Sequence, residues 1–159
     1  MNAPHINFGA LKQTHWTEIE TENALLVADF VQNLMNTHQF DYVLKTFGND
    51  QYKQHNRGIK DGLAELVNFV SSFAKQFPEY SYDVKHIYVD GESVIFHSHA
   101  TIKKAHRGND RKGFNIVDTW RIKDGQIVEH WDAIQPLDWF SRFYVWMTGG
   151  KISNANGVF

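Results

Sequence analysis

The sequence predicts an α+β domain, a cone-shaped, curved antiparallel β-sheet covered by about three N-terminal α-helices. Apolar residues recur at helical spacing before Pro78 and at alternate positions after it. The change of period happens once, so helices and strands are segregated along the chain, which is the α+β order. The 159 residues are 42% hydrophobic and 14% aromatic, enough for one domain with its own core.

Each element has a local reason. Residues 1–16 show no period and read as an N-terminal arm, residues 17–136 as the domain, and residues 137–159 as an aromatic C-terminal extension. Thr17 followed by Glu20 is a capping box, opening a helix whose stripe is Ala24, Val27, Ala28, Val31, Leu34 and Met35. Phe40, Val43, Leu44 and Phe47 make a shorter helix that stops at Gly48. Tyr52 to Asn56 is a brief extended piece. Asp61 is placed to cap a third helix with the stripe Leu63, Leu66, Val67, Val70, Phe73, Ala74 and Phe77, ended by Pro78. Strands follow at 80–89, 93–103, 114–122 and 126–135, with turns at Asp90-Gly91 and Asp124-Gly125, a polar loop at 105–113 and Pro136 closing the sheet. In the extension, Trp139, Phe140, Phe143, Tyr144, Trp146 and Met147 read as a terminal helix packed on its own domain or on a partner subunit, in preference to a lid.

Composition narrows the function classes. The chain has no cysteine, so disulfides, thiolate nucleophiles and cysteine-rich zinc sites are excluded, and a cytoplasmic location fits. Net charge is -2. The densest basic run, Lys103, Lys104, Arg107, Arg111 and Lys112, is broken by Gly108, Asp110 and Gly113 and suits a solvated hairpin tip, so no nucleic-acid partner is expected. The start lacks the pattern of a signal peptide, and no apolar run is long enough to span a membrane. Serine-hydrolase elbows, dinucleotide-binding turns and phosphate loops are missing.

The chemistry concentrates in the last hairpin. A two-residue Asp124-Gly125 loop would pair Lys123 with Gln126 and send Asp118 and Asp132 to opposite faces. A three-residue loop, Lys123-Asp124-Gly125, pairs Ile122 with Gln126 and Asp118 with His130. It gathers Ile116, Asp118, Trp120, Val128, His130, Asp132 and Ile134 on one face, and it is preferred for that reason. Two carboxylates and an imidazole among apolar neighbours must pair with one another or meet water and ligand. They are therefore either an acid/base centre or a static hydrogen-bonded core cluster. His97 and His99 share a strand face with Ile95 and Thr101, opposite Phe96, Ser98 and Ala100. Gly91, His97 and His99 match the opening of a cupin metal motif, but Lys103 and Lys104 stand where its glutamate belongs, so no metal is assigned. His5, His15, His38 and His106 read as surface residues.

The segments Tyr52-Lys53-Gln54-His55-Asn56, Val94 to His99, Val117-Asp118-Thr119-Trp120-Arg121 and Asp124 to Asp132 together resemble the SnoaL-like branch of the nuclear transport factor 2-like superfamily, over about residues 20–136. The resemblance implies a nuclear transport factor 2-like (cystatin-like) fold, a sheet wrapped around a polar pocket, and frequent homodimers. SnoaL-like polyketide cyclases close a ring by intramolecular aldol condensation without metal or Schiff base, and an aspartate on their last strand is the acid/base. Asp132 falls on that position, while Asp118 stands where those cyclases carry a histidine. The superfamily also hosts isomerases, dehydratases, epoxide hydrolases and binding proteins.

The resulting expectation is an enzyme doing cofactor-free proton abstraction next to a carbonyl, leading to aldol cyclisation or isomerisation of a small apolar carbonyl compound. Asp132, His130, Asp118 and His55 are the candidate catalytic residues. His97, Trp120, Tyr52 and Ile116 are the candidate substrate contacts. His55 and His97 are placed in the pocket by the resemblance. The alternatives are a non-catalytic small-ligand binder and an epoxide hydrolase. The latter needs an Asp, Arg, Asp relay on one face, from which Arg121 points away in the preferred register.

Overall fold

The computed structural model describes residues 3–49 and 51–159, so Met1, Asn2 and Asp50 lie outside the described residues. The arm is not loose. It carries a short helix, α1 (Phe8–Leu11), and buries Ile6 and Trp16 in the core. Thr17 caps α2 (Glu18–Val31) with the full capping box, and the helix runs on into a π-turn at Gln32–Asn36. That turn buries Asn36, whose side-chain oxygen accepts the Tyr82 amide at 2.8 Å and ties helix to sheet. α3 spans Phe40–Phe47 and ends on Gly48. A two-residue strand, β1 (Lys53–Gln54), precedes α4 (Leu63–Gln76). Asp61 does not cap α4. The cap position is Gly62, and Asp61 instead accepts the Gln54 amide at 2.8 Å, one residue too early to serve the helix.

The sheet is β2 (Ser81–Asp90), β3 (Ser93–Thr101), β4 (Phe114–Lys123) and β5 (Gln126–Pro136), antiparallel throughout, with β1 added parallel to β5. The order is β1-β5-β4-β3-β2, a curved open five-stranded sheet. α2, α3 and α4 cover its inner face, where Val94, Phe96, Trp120, Ile122 and Ile127 are buried. Phe30 of α2 and Phe96 of β3 both meet Trp120 edge-on, at 6.3 and 5.4 Å between ring centres. Burying each phenyl ring contributes up to about 3 kcal/mol.

The hairpin register corrects the preferred reading. Lys123 pairs with Gln126 across a two-residue turn, with φ 50 at Asp124 and φ 71 at Gly125. Both residues are left-handed, as a type I′ hairpin turn demands. Ile122 then faces Ile127, not Gln126. A bulge follows, since Arg121 pairs with Glu129 and Val128 is the extra residue. The bulge supplies the one-residue offset that the three-residue loop was meant to supply. Asp118, Trp120, His130 and Asp132 therefore do share the inner face, but Asp118 pairs with Asp132, Trp120 with His130 and Ile116 with Ile134. Ile127 takes the buried place expected for Val128.

The extension forms α5 (Trp139–Thr148), capped by Asp138, which accepts the amides of Ser141 and Gly113 at 2.9 Å each. Tyr144 packs edge-on against Phe73 and Phe77 of α4, whereas Trp139 and Trp146 stay 75% and 76% exposed. Among the described residues no helix is long and apolar enough to cross a membrane.

Candidate functional site: a buried Asp–His–Asp cluster

β4 and β5 present Asp118, His130 and Asp132 side by side on the inner face. Asp118 is 2% exposed, His130 is 5% exposed and Asp132 is half-buried. His130 Nε2 lies 3.1 Å from Asp118 Oδ1, and its ring stacks on Trp120 at 5.2 Å. β1 reaches the cluster through its parallel pairing, which sets Gln54 beside His130. Gln54 Oε1 accepts the Asn56 backbone amide at 2.9 Å and lies 2.9 Å from His130 Nδ1. A backbone amide only donates, so it fixes which way the Gln54 carboxamide points, and that in turn makes His130 Nδ1 the donor. The proton between Nε2 and Asp118 is then shared by the pair, as aspartate and imidazolium or as aspartic acid and imidazole. Burial pushes the Asp118 carboxyl above its ordinary value, the hydrogen bond and charge of His130 oppose that, and the Asp132 charge adds to it. Asn56 donates from Nδ2 to Asp132 Oδ2 at 2.6 Å, leaving the other carboxylate oxygen without a described bond.

Several buried atoms on this face have no protein partner: Asp118 Oδ2, Gln54 Nε2 and Ser98 Oγ. Buried polar atoms in native proteins are nearly always paired with protein or water, so such a group calls for an occupant. Burial first, then the charges of Asp118 and Asp132, hold the Tyr52 phenol well above its usual range, against a hydrogen bond that the Trp120 indole donates to it. Tyr52 therefore remains a proton donor beside the carboxylates. Ile116 and Trp120 are buried on the same face, as expected.

Two expected members are elsewhere. His97 pairs with Val117 and shares its face, the outer one, where its Nε2 lies 2.6 Å from Asn115 Oδ1. Strand alternation already set it opposite Phe96 and Ser98, and those two face inward. His55 follows Gln54 in the extended segment and so turns outward too, stacking on Trp131 at 4.5 Å with Nε2 2.7 Å from Glu129 Oε1 and Nδ1 2.5 Å from the Gly157 carbonyl. Gln54 and Asn56, which sequence reasoning left out, take the inward places. Their signal was the same alternation, Tyr52, Gln54, Asn56.

The polar end of the chain is part of this arrangement. Asn154 donates to the carbonyls of Asn56 and Ile59 at 2.8 and 2.7 Å, Asn156 donates to the Gln54 carbonyl at 2.8 Å, and Ser153 N–H bonds the Arg57 carbonyl. The strap thus pins the backbone whose side chains orient His130 and Asp132. Two concavities lie away from the cluster. One is a groove of about 330 Å³ on the outer face, bounded by Lys85, His97, His99, Asp110, Asn115 and Leu137, and the other is a dimple of about 40 Å³ beside Phe47 and Ile127.

The chain belongs to the SnoaL-like domain family, whose profile matches residues 27–130. Solved structures share the fold at low identity. A candidate SnoaL-like polyketide cyclase from Jannaschia sp. CCS1 is 15% identical with a TM-score of 0.62, over 86% of this chain and 96% of that one. A candidate polyketide cyclase from Bacillus cereus ATCC 10987 is 18% identical at a TM-score of 0.62, covering 84% of this chain and 83% of that one. AclR, a candidate hydroxylase from Streptomyces galilaeus, is 20% identical at 0.58, covering 82% and 97%. No curated protein matches the sequence.

Proposed function

We propose that the Asp118–His130–Asp132 cluster is the acid/base centre of an enzyme acting on a small, mostly apolar carbonyl compound. The observation that carries this reading is the set of buried, unpartnered polar atoms on the cluster's face. Gln54 Nε2 and Tyr52 Oη, which keeps its own proton while accepting from Trp120, are donors, so the occupant they fit presents acceptor oxygens. In this reading Asp132, oriented by Asn56, takes a proton from the carbon next to the carbonyl. Those donors bond the developing enolate oxygen, and the proton held between Asp118 and His130 is returned to the product. His130 has both ring nitrogens engaged and acts through Asp118. Substrate arrives past Asp132 and Asn56, the half-buried members of the cluster. The family's aldol cyclisations and isomerisations both begin with such a step. Arg121, the arginine weighed for an Asp, Arg, Asp relay, bonds Glu129 at 2.6 Å on the outer face, which favours this reading over epoxide opening.

The test is α-deuteration in heavy water of a panel of cyclic and aryl ketones, followed by mass spectrometry. Wild type should exchange at least one of them, and Asp132→Asn should lower that rate by about 100-fold or more with the melting temperature nearly unchanged. No exchange by wild type, together with a large stability loss in Asp132→Asn, would sink the proposal in favour of a static core cluster.

The same reading pairs two copies through the exposed row Trp139, Phe143, Trp146 and Met147 of α5. Sedimentation of wild type as a dimer and of Trp146→Ala as a monomer is the expected result, and a monomeric wild type would remove this part.

A further inference from the structure

Asp118, His130 and Asp132 each offer one ligand atom within 4.8 Å of the others. Two of the three are held from behind. His130 keeps its Nδ1 proton on Gln54 Oε1 at 2.9 Å, and Asp132 Oδ2 accepts from Asn56 Nδ2 at 2.6 Å. Imidazole and carboxylate ligands of metal ions are oriented in this way, by an outer partner that fixes the tautomer and the ring plane. The outcome here is that Nε2, the nitrogen turned to the carboxylates, is the one that would coordinate, exchanging its bond to Asp118 Oδ1 for the cation.

Charge points the same way. Two carboxylates and one imidazole converge on this face. The basic side chains of this neighbourhood do not reach them, because Lys53 and Arg121 pair with Glu129 on the outer face. Asp118 Oδ2 is buried without a protein partner. A cation would compensate the charge and engage Oδ2. Waters or ligand oxygens on its open positions would accept the remaining proton of Tyr52.

We propose that Asp118, His130 and Asp132 form a binding site for one divalent first-row transition cation of the zinc or manganese class. The donor set selects it, since an imidazole beside two carboxylates suits these ions, whereas calcium wants about six to eight oxygens. Coordination at about 2.1 Å requires the three groups to draw together. Cation and shared proton are alternative occupants of the same side chains. Binding is therefore read without substrate, independently of the acid/base reading.

Full-length protein, stripped with chelator, is titrated with Zn2+ by calorimetry and with Co2+ by visible absorption. One equivalent should bind, at least tenfold more weakly in Asp118→Asn and in Asp132→Asn, and unchanged in a His97→Ala/His99→Ala variant. A readout needing no variant is the 15N spectrum of the His130 ring, in which Zn2+ should move Nε2 and leave Nδ1 protonated. Less than one equivalent bound, an unmoved Nε2, or binding that follows His97 and His99 would overturn the site.

Discussion

His38 carries a burden that its sequence context hides. It sits in the left-handed region at φ 54, stacks on Phe40 at 5.8 Å and buries Nε2 without a partner. Burial lowers its pKa from 6.5, against the opposing hydrogen bond of the Met35 backbone. The folded chain therefore holds the ring neutral while the unfolded chain takes up a proton as the pH falls from 6.5. Stability from this residue is present above that value and lost below it, down through the lowered folded value. His38→Asn, which tolerates positive φ, should flatten the fall in melting temperature between neutral and mildly acidic pH. A slope identical to wild type would refute the assignment. His38 and His106 are both half-buried, where their chain positions suggested surface. At the site, Asp118, His130 and Asp132 were legible because one hairpin carries all three. Gln54 and Asn56 were passed over although the alternation Tyr52, Gln54, Asn56 sets them on one face, because only the parallel pairing of β1 with β5 brings that face to His130. His55 and His97 were misplaced by following likeness over alternation.

The β4–β5 hairpin depends on a single added residue. With Asp124-Gly125 closing a two-residue turn, Asp118 and Asp132 share a face only because Val128 bulges. Deleting Val128 would leave Ile122 opposite Ile127 and Arg121 opposite Glu129, keeping His130 and Asp132 inward, so the variant should still melt cooperatively. Loss of cooperative melting would show that the bulge does more than offset the register. The sequence demanded an odd offset in this hairpin but could not place it, since a longer turn and a bulge satisfy the same pattern. Gly113 shows a second element-level constraint. It has φ 80, and an added Cβ would meet the Ala100 carbonyl oxygen at 2.2 Å. Gly113→Ala should lower stability by about 2 kcal/mol or more, measured by urea unfolding. The β-strand backbone opposite cannot move aside, because Ala100 pairs with Phe114. The α+β order and the strand boundaries were readable to within a few residues, because period and turn residues agreed there.

For the molecule as a whole, the surprise is the chain's end. Removing residues 153–159 should lower the melting temperature and speed amide exchange across Gln54–Ile59, as read by hydrogen-exchange mass spectrometry. Unchanged exchange there would mean that the strap merely rests on the domain. Nothing in a polar run of asparagine and glycine announces this role, since the bonds join residues about a hundred positions apart. One practical result concerns how kinship is judged. The family profile stops at His130, so a homologue aligned only that far is silent about Asp132, Asn154 and Asn156. Sorting relatives by whether they keep glutamine and asparagine at the 54 and 56 positions, together with trailing asparagines, would separate chains that share this interior from those that share only its outline.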